Sequence, residues 1–395
     1  MRQPVHSDKA LCTGCGACAS ICPKGAIAMR PDAEGFLYPA VNGKRCVSCD
    51  LCERRCPAGK RPPEREQHAF GARNGDDAVR RASSSGGAFT ALARGVLARG
   101  GVVFGAAFDE ALRVEHIGAF NEEELSPMRG SKYVQSDATE AIGHAAALLE
   151  RGVPVLFSGA PCQVSGLLAL VGDKYGDLLL TVDFVCHGVP SPGVFASYLR
   201  ELEQKRGSRV KAYSFRDKRL GWKNFSATAT FEDGSEHTGT QRGEPFLYGF
   251  LQNLYLRPSC GQCNALRGNR READITLADL WGAQEICPER DDDAGLSLLL
   301  VNSPRGLRAI EACGEALERF EVDTKPMLRF NPGIERSAVM HAKRARFFRE
   351  YAKRGFESER VMALLAPPGR VERMIRRIAH LPKGLLRRVR EKLGK

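Results

Sequence analysis

The sequence lacks the features of a membrane or secreted protein. Its 395 residues contain no uncharged apolar run near the roughly 18 residues that a membrane-spanning helix requires. This excludes an integral membrane protein. No apolar segment precedes the first cysteines, so we predict that there is no secretory signal peptide and that the location is cytoplasmic. With 43% hydrophobic and 27% charged residues, the composition is that of a globular chain long enough for two or three domains.

The sequence also has few aromatic residues and little positive charge outside one segment, which argues against a nucleic-acid-binding protein. Aromatics make up 7% of the chain and are not interleaved with the basic residues. The formal net charge is +12, but residues 370–395 alone contain ten Lys or Arg and two Glu. The rest of the chain is therefore only mildly basic, and we predict no nucleic-acid partner.

Cysteine is abundant, and its spacing predicts iron–sulfur clusters. Eight of the fourteen cysteines lie before residue 57, in two C-x-x-C-x-x-C-x-x-x-C-P runs at residues 12–23 and 46–57. In such runs three thiolates bind one [4Fe-4S] cluster and the fourth binds the other cluster. We therefore predict a first cluster on Cys12, Cys15, Cys18 and Cys56, and a second on Cys46, Cys49, Cys52 and Cys22. Zinc is the alternative, but it has no use for a third thiolate in this register. The runs resemble bacterial two-cluster ferredoxins over about sixty residues.

The remainder of the chain predicts an α/β (α+β) fold. Residues 1–60 are predicted to form the ferredoxin-like 2[4Fe-4S] domain, called the head here, and the Pro-rich, charged residues 61–81 are predicted to be a linker. The body follows. Apolar strands at 153–157 and 178–186, separated by helices, predict a largely parallel sheet covered on both faces. Residues 210–240 predict an antiparallel hairpin and residues 305–320 a helix. Residues 326–395 are predicted to be a helical, basic tail.

Four cysteines of the body have positions suited to a third cluster. Cys162 and Cys186 each follow a predicted buried strand, where ligands collect in open α/β sheets. Cys260 and Cys263 form a chelating pair in a loop. The alternative is that Cys162 and Cys186 are small core residues. We assign no role to the other two, Cys287 and Cys313.

Iron–sulfur clusters move single electrons, so a partner cofactor that also transfers pairs is expected, and flavin is the usual one. No G-x-G-x-x-G follows a strand, which gives no support for a Rossmann site. The loop 83–87, Ser-Ser-Ser-Gly-Gly, precedes a helix and could hold a pyrophosphate. It could equally be an ordinary helix N-terminus. The segment 130–133, Gly-Ser-Lys-Tyr, offers a cation and an aromatic ring beside a turn.

Seven motifs occur in the order seen in one family: SSGGAFTALA, RGSKYVQS, SGAPCQVSGL, CHGVPSP, GWKNFS, CGQCNALRGNREADITLADLWG and GLSLLLVN. Over residues 82–320 the chain resembles the family of coenzyme F420-reducing hydrogenase/dehydrogenase β subunits, which includes 7-hydroxymethyl chlorophyll a reductases. The resemblance implies a non-Rossmann mixed α/β body that binds FAD, with its FAD-binding part at 82–160 and its cysteine-bearing part at 161–325.

The resemblance also implies roles for individual residues. Phosphate contacts are implied for Ser85, Gly86, Gly87 and Thr90, flavin contacts for Ser131, Lys132 and Tyr133, a further cofactor contact for Asp279, and cluster ligation for Cys162, Cys186, Cys260 and Cys263. The chain departs from the family pattern at two places. Residues 159–163 read Gly-Ala-Pro-Cys-Gln where Gly-Thr-Pro-Cys-Gln is frequent, and 278–281 read Ala-Asp-Leu-Trp where Gly-Asp-x-Trp is frequent. The substrate pocket is therefore expected to differ.

Together these features predict an oxidoreductase that passes electrons from ferredoxin or reduced F420 through [4Fe-4S] clusters and FAD to an acceptor that the sequence does not identify. The alternative is an electron-transfer β subunit of a larger complex. His187, next to Cys186, is a candidate proton donor or a structural histidine. The tail after residue 366 has an apolar side opposite Arg and Lys, which predicts contact with an anionic membrane face or, equally, packing on the body or a partner.

Overall fold

The computed structural model describes residues 8–263 and 268–366. The head consists of helix α1 (Ala17–Ser20), strands β1 (Ile27–Pro31) and β2 (Leu37–Val41), and helix α2 (Leu51–Arg54). The two strands pair in antiparallel fashion, with Ile27 opposite Val41. Each short helix follows the first two cysteines of one run, so the internal sequence repeat is also a structural repeat.

The body contains all the remaining strands and helices of the described residues. Its strands are β3 (His68–Asn74), β4 (Val102–Phe108), β5 (Val114–Ala119), β6 (Val155–Ser158), β7 (Leu179–Phe184), β8 (Val210–Asp217), β9 (Ser226–Phe231), β10 (Glu236–Thr240), β11 (Ile275–Asp279), β12 (Ser297–Val301) and β13 (Leu317–Glu321). Its helices are α3 (Asp77–Ala82), α4 (Ala88–Leu97), α5 (Thr139–Glu150), α6 (Pro161–Val171), α7 (Pro192–Arg206), α8 (Pro245–Leu251), α9 (Ala283–Ile286), α10 (Pro304–Ala312), α11 (Thr324–Leu328), α12 (Arg344–Arg354) and α13 (Ser358–Leu365).

Eight strands form the main sheet, in the order β13-β3-β12-β11-β7-β6-β4-β5. The four strands β4, β6, β7 and β11 are parallel to one another, and antiparallel strands complete both sides. On β6, Val155 and Phe157 pack with α5 and α6, whereas Leu156 packs with α4 on the opposite face. The predicted α/β class with both faces covered is therefore confirmed, although the sheet is mixed rather than largely parallel.

Two predictions about the body are wrong. The predicted linker 61–81 contains β3, which pairs with β12 and β13 inside the main sheet, and also α3. The body therefore begins at His68 rather than near residue 82. The helix predicted over 305–320 ends at Ala312, and Leu317–Glu321 instead form β13, because this segment pairs with β3.

A second, three-stranded antiparallel sheet has the order β10-β9-β8. The hairpin predicted over residues 210–240 is therefore confirmed, with one more strand than a simple hairpin has. Phe347 of α12 and Val361 of α13 belong to the same apolar core as this sheet, so residues up to 366 pack on the body. The tail prediction for 367–395 lies outside the described residues. Within the part of the chain that is described, no helix is long and apolar enough to cross a bilayer.

Candidate functional site

The first cysteine run is packed against the body. Cys12 and Cys15 are buried, and the glycines between the cysteines have positive φ, 68° at Gly14 and 87° at Gly16. A Cβ at Gly14 would lie 2.5 Å from the Gln135 amide nitrogen and 2.8 Å from the Arg257 guanidinium. Both the backbone conformation and the close approach of the body therefore require glycine here.

The second run has the same backbone conformation but faces solvent. Ser48 and Asp50, which occupy the positions of the two glycines, have φ values of 53° and 55°. Ser48 is exposed and Asp50 half-buried, and Cys46 and Cys49 are exposed as well. There is room for side chains at these two positions, whereas the first run needs glycine. The two runs thus differ in burial rather than in local geometry.

The cysteines of the head fall into the two groups that the spacing predicts. We call Cys12, Cys15, Cys18 and Cys56 the first cysteine group. Burial raises the pKa of Cys56 to about 11, with Cys15 and Cys12 raising it further by charge repulsion. Burial likewise raises the pKa of Cys18 far above its usual range, and the other members of the group add to the effect. Thiols that lie this close together, with Cys18 and Cys56 held against ionisation by burial and by their neighbours, suit a cation that binds thiolates.

The second cysteine group is Cys22, Cys46, Cys49 and Cys52. All four line one surface pocket, between α2 and the end of β2. The members of each group therefore lie together as the ferredoxin-like assignment requires. Which cluster each cysteine binds stays a prediction.

The body cysteine group is Cys162, Cys186, Cys260 and Cys263, and these four line a second pocket. Cys162 lies in the first turn of α6, Cys186 two residues beyond β7, and Cys260 in the short helix Pro258–Gln262. Burial raises the pKa of Cys162, and charge repulsion from Cys15 of the head raises this pKa further. The body cysteine group is therefore next to the first cysteine group.

The geometry bears on the core-residue alternative for Cys162 and Cys186 and on whether these cysteines could bind a single metal ion. Neither Cys162 nor Cys186 belongs to an apolar core cluster, so the core-residue interpretation does not explain them. Among residues 8–263 and 268–366, no three His, Cys, Asp or Glu side chains are placed to hold a single metal ion. A cubane instead distributes its four thiolates over separate iron corners, which is the arrangement that four cysteines around a pocket suit.

Arg257 joins the head to the body beside the first cysteine group. Its side chain is fully buried, and it donates to the Cys12 carbonyl at 2.9 Å, the Leu37 carbonyl at 3.0 Å and the Gln135 amide oxygen at 3.1 Å. The guanidinium also lies 3.8 Å from Cys12 Sγ and 3.9 Å from the centre of the Tyr38 ring. A buried cation whose oxygen acceptors are all neutral therefore lies within hydrogen-bonding reach of the Cys12 sulfur.

The loop predicted to hold phosphate is tightly packed. The Ser85 hydroxyl donates to the Leu296 carbonyl at 2.7 Å, and the Gly86 amide donates to the Ser297 hydroxyl at 3.0 Å. A Cβ at Gly86 would lie 2.4 Å from the Ala72 carbonyl, so this glycine is required by packing. Helix α4 begins after Gly87, at φ 82°, without a capping side chain, which leaves its first amides suited to an anion.

The other residues implied by the resemblance lie around this loop. Ser131 donates to the Ser84 hydroxyl through its amide at 2.6 Å and through its own hydroxyl at 2.9 Å. Thr90 is buried and accepts from Arg129 at 3.2 Å. The structure therefore brings the two sequence segments together, but it gives Ser131 and Thr90 protein partners.

Tyr133 and Asp279 meet at Arg216, a residue that sequence reasoning missed. Arg216 donates to the Tyr133 hydroxyl at 3.2 Å and to Asp279 at 2.9 Å, and its side chain is 3% exposed. Asp279 also accepts from Trp222 at 3.1 Å, and the Trp222 ring stacks on Trp281 at 4.6 Å. Asp279 is therefore an anchor for Arg216 and Trp222 in this structure.

Two lysines beside the loop donate to main-chain carbonyls. Lys132 donates to Pro127 and Arg129 at 2.6 and 2.9 Å. Lys218, also missed from the sequence, donates to the carbonyls of Arg80, Ser85 and Ala294 at 2.7 to 3.2 Å. Removal from water lowers the pKa of Lys132 to about 7 and that of Lys218 to about 8. Within the described part of the chain, neither ammonium is bonded to a carboxylate, which suits an anionic ligand such as a diphosphate.

His187 lies in the wall of the pocket that contains the body cysteine group. A ring nitrogen lies 2.6 Å from the Asn253 amide oxygen, and the ring meets Phe250 edge-on at 4.9 Å. These contacts give the imidazole a fixed orientation. Its role as a proton donor stays a prediction.

No local pattern in the sequence points to Arg216, Lys218 or Arg257. Arg257 contacts a residue 245 positions away, and Arg216 contacts one 63 positions away. Trp222 lies within one of the family-like motifs, GWKNFS, but its partner in stacking could not be read from that motif. Only the folded arrangement identifies these side chains as neighbours of the site.

Comparison with known proteins gives three family matches along the chain. Residues 11–60 match the 4Fe-4S dicluster domain. Residues 69–143 match the N-terminal part, and 153–325 the C-terminal part, of the coenzyme F420 hydrogenase/dehydrogenase β subunit.

Individual relatives match smaller parts. One of the subunits of the F(420)H(2) dehydrogenase of Methanosarcina mazei is 24% identical over 189 residues, covering 45% of this chain and 53% of that protein. An uncharacterised ferredoxin of Methanocaldococcus jannaschii is 40% identical over 57 residues, 14% of this chain and 73% of that one. The chain thus spans about half the length of the Methanosarcina mazei relative.

Among solved structures, the F420-reducing [NiFe] hydrogenase complex of Methanosarcina barkeri contains a chain with 20% identity and a TM-score of 0.48, covering 68% of this chain and 87% of that chain. The two β-subunit matches together span most of the chain from residue 69 to residue 325. The predicted family is therefore confirmed: the chain belongs to the family of coenzyme F420 hydrogenase/dehydrogenase β subunits and has an N-terminal 4Fe-4S dicluster domain.

Proposed function

We propose that the protein is an FAD- and [4Fe-4S]-dependent oxidoreductase that moves electrons between a low-potential carrier and an acceptor. The carrier is ferredoxin or reduced F420. The observation that supports this most strongly is the succession of three cysteine groups. Cys46 and Cys49 of the second group are exposed, and Cys12 and Cys15 of the first are buried against the body. The body cysteine group adjoins the first through Cys15 and Cys162.

This succession suits a path for single electrons. Cys52 of the second group lies near Cys22, and Cys18 of the first group lies near Cys52, so the two head groups are also neighbours. We propose that each group binds one [4Fe-4S] cluster with the ligands assigned above. Bound clusters would supply one-electron transfer. The chain itself would hold the thiolates and keep the cysteines of the inner two groups less exposed than Cys46 and Cys49.

The loop 83–87 and its neighbours are proposed to bind FAD. Lys132 and Lys218 would neutralise the diphosphate, and the first amides of α4 would donate to it. Tyr133, Ser131 and Asp279 would lie around the flavin. Arg216 would hold Asp279 directly, and it would hold Ser131 indirectly by donating to the carbonyl of Ser84, the hydrogen-bond partner of Ser131. Bound FAD would supply the conversion between one-electron and two-electron transfer.

The alternative is an electron-transfer subunit with no substrate of its own. The relative in Methanosarcina mazei bears the name of a dehydrogenase subunit, which favours a partner enzyme for this chain as well. Both functions use the same three cysteine groups. They differ in whether the isolated chain turns over a small acceptor.

Anaerobic purification followed by cofactor analysis tests the proposal. We expect about twelve iron and about twelve sulfide per chain, four of each per cubane, and one FAD. A reductase should oxidise reduced ferredoxin or reduced F420 with a small acceptor, whereas a subunit should need its partner. A colourless protein without inorganic sulfide or flavin would contradict the proposal in both forms.

A further inference from the structure

The second cysteine group lies in the most exposed part of the head. Residues 42–49 are all exposed, and Cys46 and Cys49 are among them. By contrast, Cys12 and Cys15 at the same positions of the first run are buried. A second protein can therefore bring a redox centre closer to the second group than to either of the others.

The surface around this group has an excess of positive charge. Residues 43–61 contain six basic and two acidic side chains, and all six basic ones are exposed: Lys44, Arg45, Arg54, Arg55, Lys60 and Arg61. None of these six forms an ion pair with another described residue. Exposed arginines elsewhere in the described chain do so, as Arg94 does with Glu122 and Arg329 with Glu285. The charge here is therefore not compensated within the described residues.

The centre of the same surface is apolar. Val47 lies between Cys46 and Cys49 and is 57% exposed, which makes it one of the few large apolar side chains in contact with solvent among the described residues. An apolar centre within a charged rim is the usual anatomy of a protein-binding surface. We call residues 42–61 the docking face.

We propose that the docking face binds a small acidic electron-carrier protein and that electrons enter or leave the chain at the second cysteine group. This rests on the proposed function. In the forward direction the carrier is oxidised by one electron and the chain is reduced by one electron, with no proton or leaving group exchanged. Long-range attraction between unlike charges raises the rate of encounter, and salt screens it.

The test uses the full-length, cluster-loaded protein and a reduced ferredoxin with an acidic surface, mixed in stopped flow. The variant K44E/R45E reverses two charges of the docking face. The matched control, K211E/R242E, makes the same change in net charge at exposed positions outside the head, one on β8 and one just after β10. Photoreduced deazaflavin, an uncharged reductant, measures whether the clusters of each variant are intact.

We expect K44E/R45E to lower the second-order rate constant with ferredoxin by about tenfold or more at low salt, with the difference disappearing at high salt. The control should stay close to wild type, and deazaflavin should reduce all three proteins alike. Equal rates for K44E/R45E and wild type, or an equal fall in both variants, would overturn the docking face. The docking face would also be overturned if deazaflavin, but not ferredoxin, reduced the wild-type protein. If deazaflavin fails to reduce even the wild type, the proposed function itself fails.

Discussion

Replacing Arg257 should loosen the head from the body. The guanidinium is fully buried and bonds three oxygen acceptors, the carbonyls of Cys12 and Leu37 in the head and the amide oxygen of Gln135 in the body. In R257M the aliphatic stem is retained but all three acceptors lose this donor. Gln135 is itself a body residue, and its amide oxygen still accepts from the Leu37 amide, so only the two head carbonyls count. A buried acceptor left without a partner costs at least about 1 kcal/mol, so the contact between head and body should weaken by roughly 2 kcal/mol.

The loss can be measured by hydrogen exchange or limited proteolysis of the head in the cluster-loaded protein. A weakening of roughly 2 kcal/mol corresponds to an opening constant for residues 8–60 that is about 30-fold larger. R257K keeps the charge but not the planar fork, so its effect should be intermediate. R271M is the matched control, because Arg271 is also buried but donates to the Ile334 carbonyl of the body.

The same variants separate the effect of charge from the effect of packing. A cation 3.8 Å from Cys12 Sγ favours the more negative, reduced state of a cluster bound there. The reduction potential of that cluster, followed by electron paramagnetic resonance, should therefore fall in R257M and stay closer to wild type in R257K. Protection of the head within threefold of wild type in R257M, about 0.7 kcal/mol by the same conversion, would refute the reasoning.

Three further predictions concern the other parts of the site. Because the pKa of Lys132 is lowered to about 7, its ammonium loses its proton as the pH rises through that value. FAD binding to the flavin-free protein, measured by flavin fluorescence titration, should therefore weaken over this pH range. The variant K132R should remove this pH dependence. C260S/C263S should lose about four of the iron atoms while the head clusters remain in the spectrum, and an unchanged iron count would contradict the body site. G14S should destabilise the head by about 1–3 kcal/mol in thermal unfolding, whereas S48G, the converse change in the other run, should be close to neutral.

The parts of the fold that the sequence predicted correctly are those encoded locally. Strands β6 and β7 are short apolar runs buried on both faces, so composition alone identified them. The wrong predictions involve long-range pairing. His68–Asn74 contains an exposed histidine and a glycine and follows a charged segment, and it becomes a strand because β12 and β13 pair with it. Leu317–Glu321 continues the pattern of α10 and becomes a strand for the same reason.

The candidate site likewise has residues that local sequence predicts and residues that only long-range contacts identify. The grouping of the head cysteines was predictable because the spacing within a run is a local property, and the pocket of the second group is lined by the four cysteines expected. Arg216 and Lys218 lie in a segment whose sequence indicated only a hairpin. Their importance arises from contacts with the loop 83–87 and with Asp279, more than 60 positions away. No periodicity or spacing in a single sequence can reveal such contacts.

The two cysteine runs also differ in a way that reports on long-range contacts and that the cysteine spacing does not show. Both runs require positive φ at the same two positions, yet one has Gly14 and Gly16 and the other has Ser48 and Asp50. If backbone conformation were the only requirement, either pair of residues would serve in both runs. A Cβ at Gly16 would lie 2.7 Å from the Thr139 hydroxyl, so glycine marks the run that the body covers. The residue found at a left-handed position therefore distinguishes the run that the body covers from the run that faces solvent, and under the proposed function it marks the order in which electrons would meet the two.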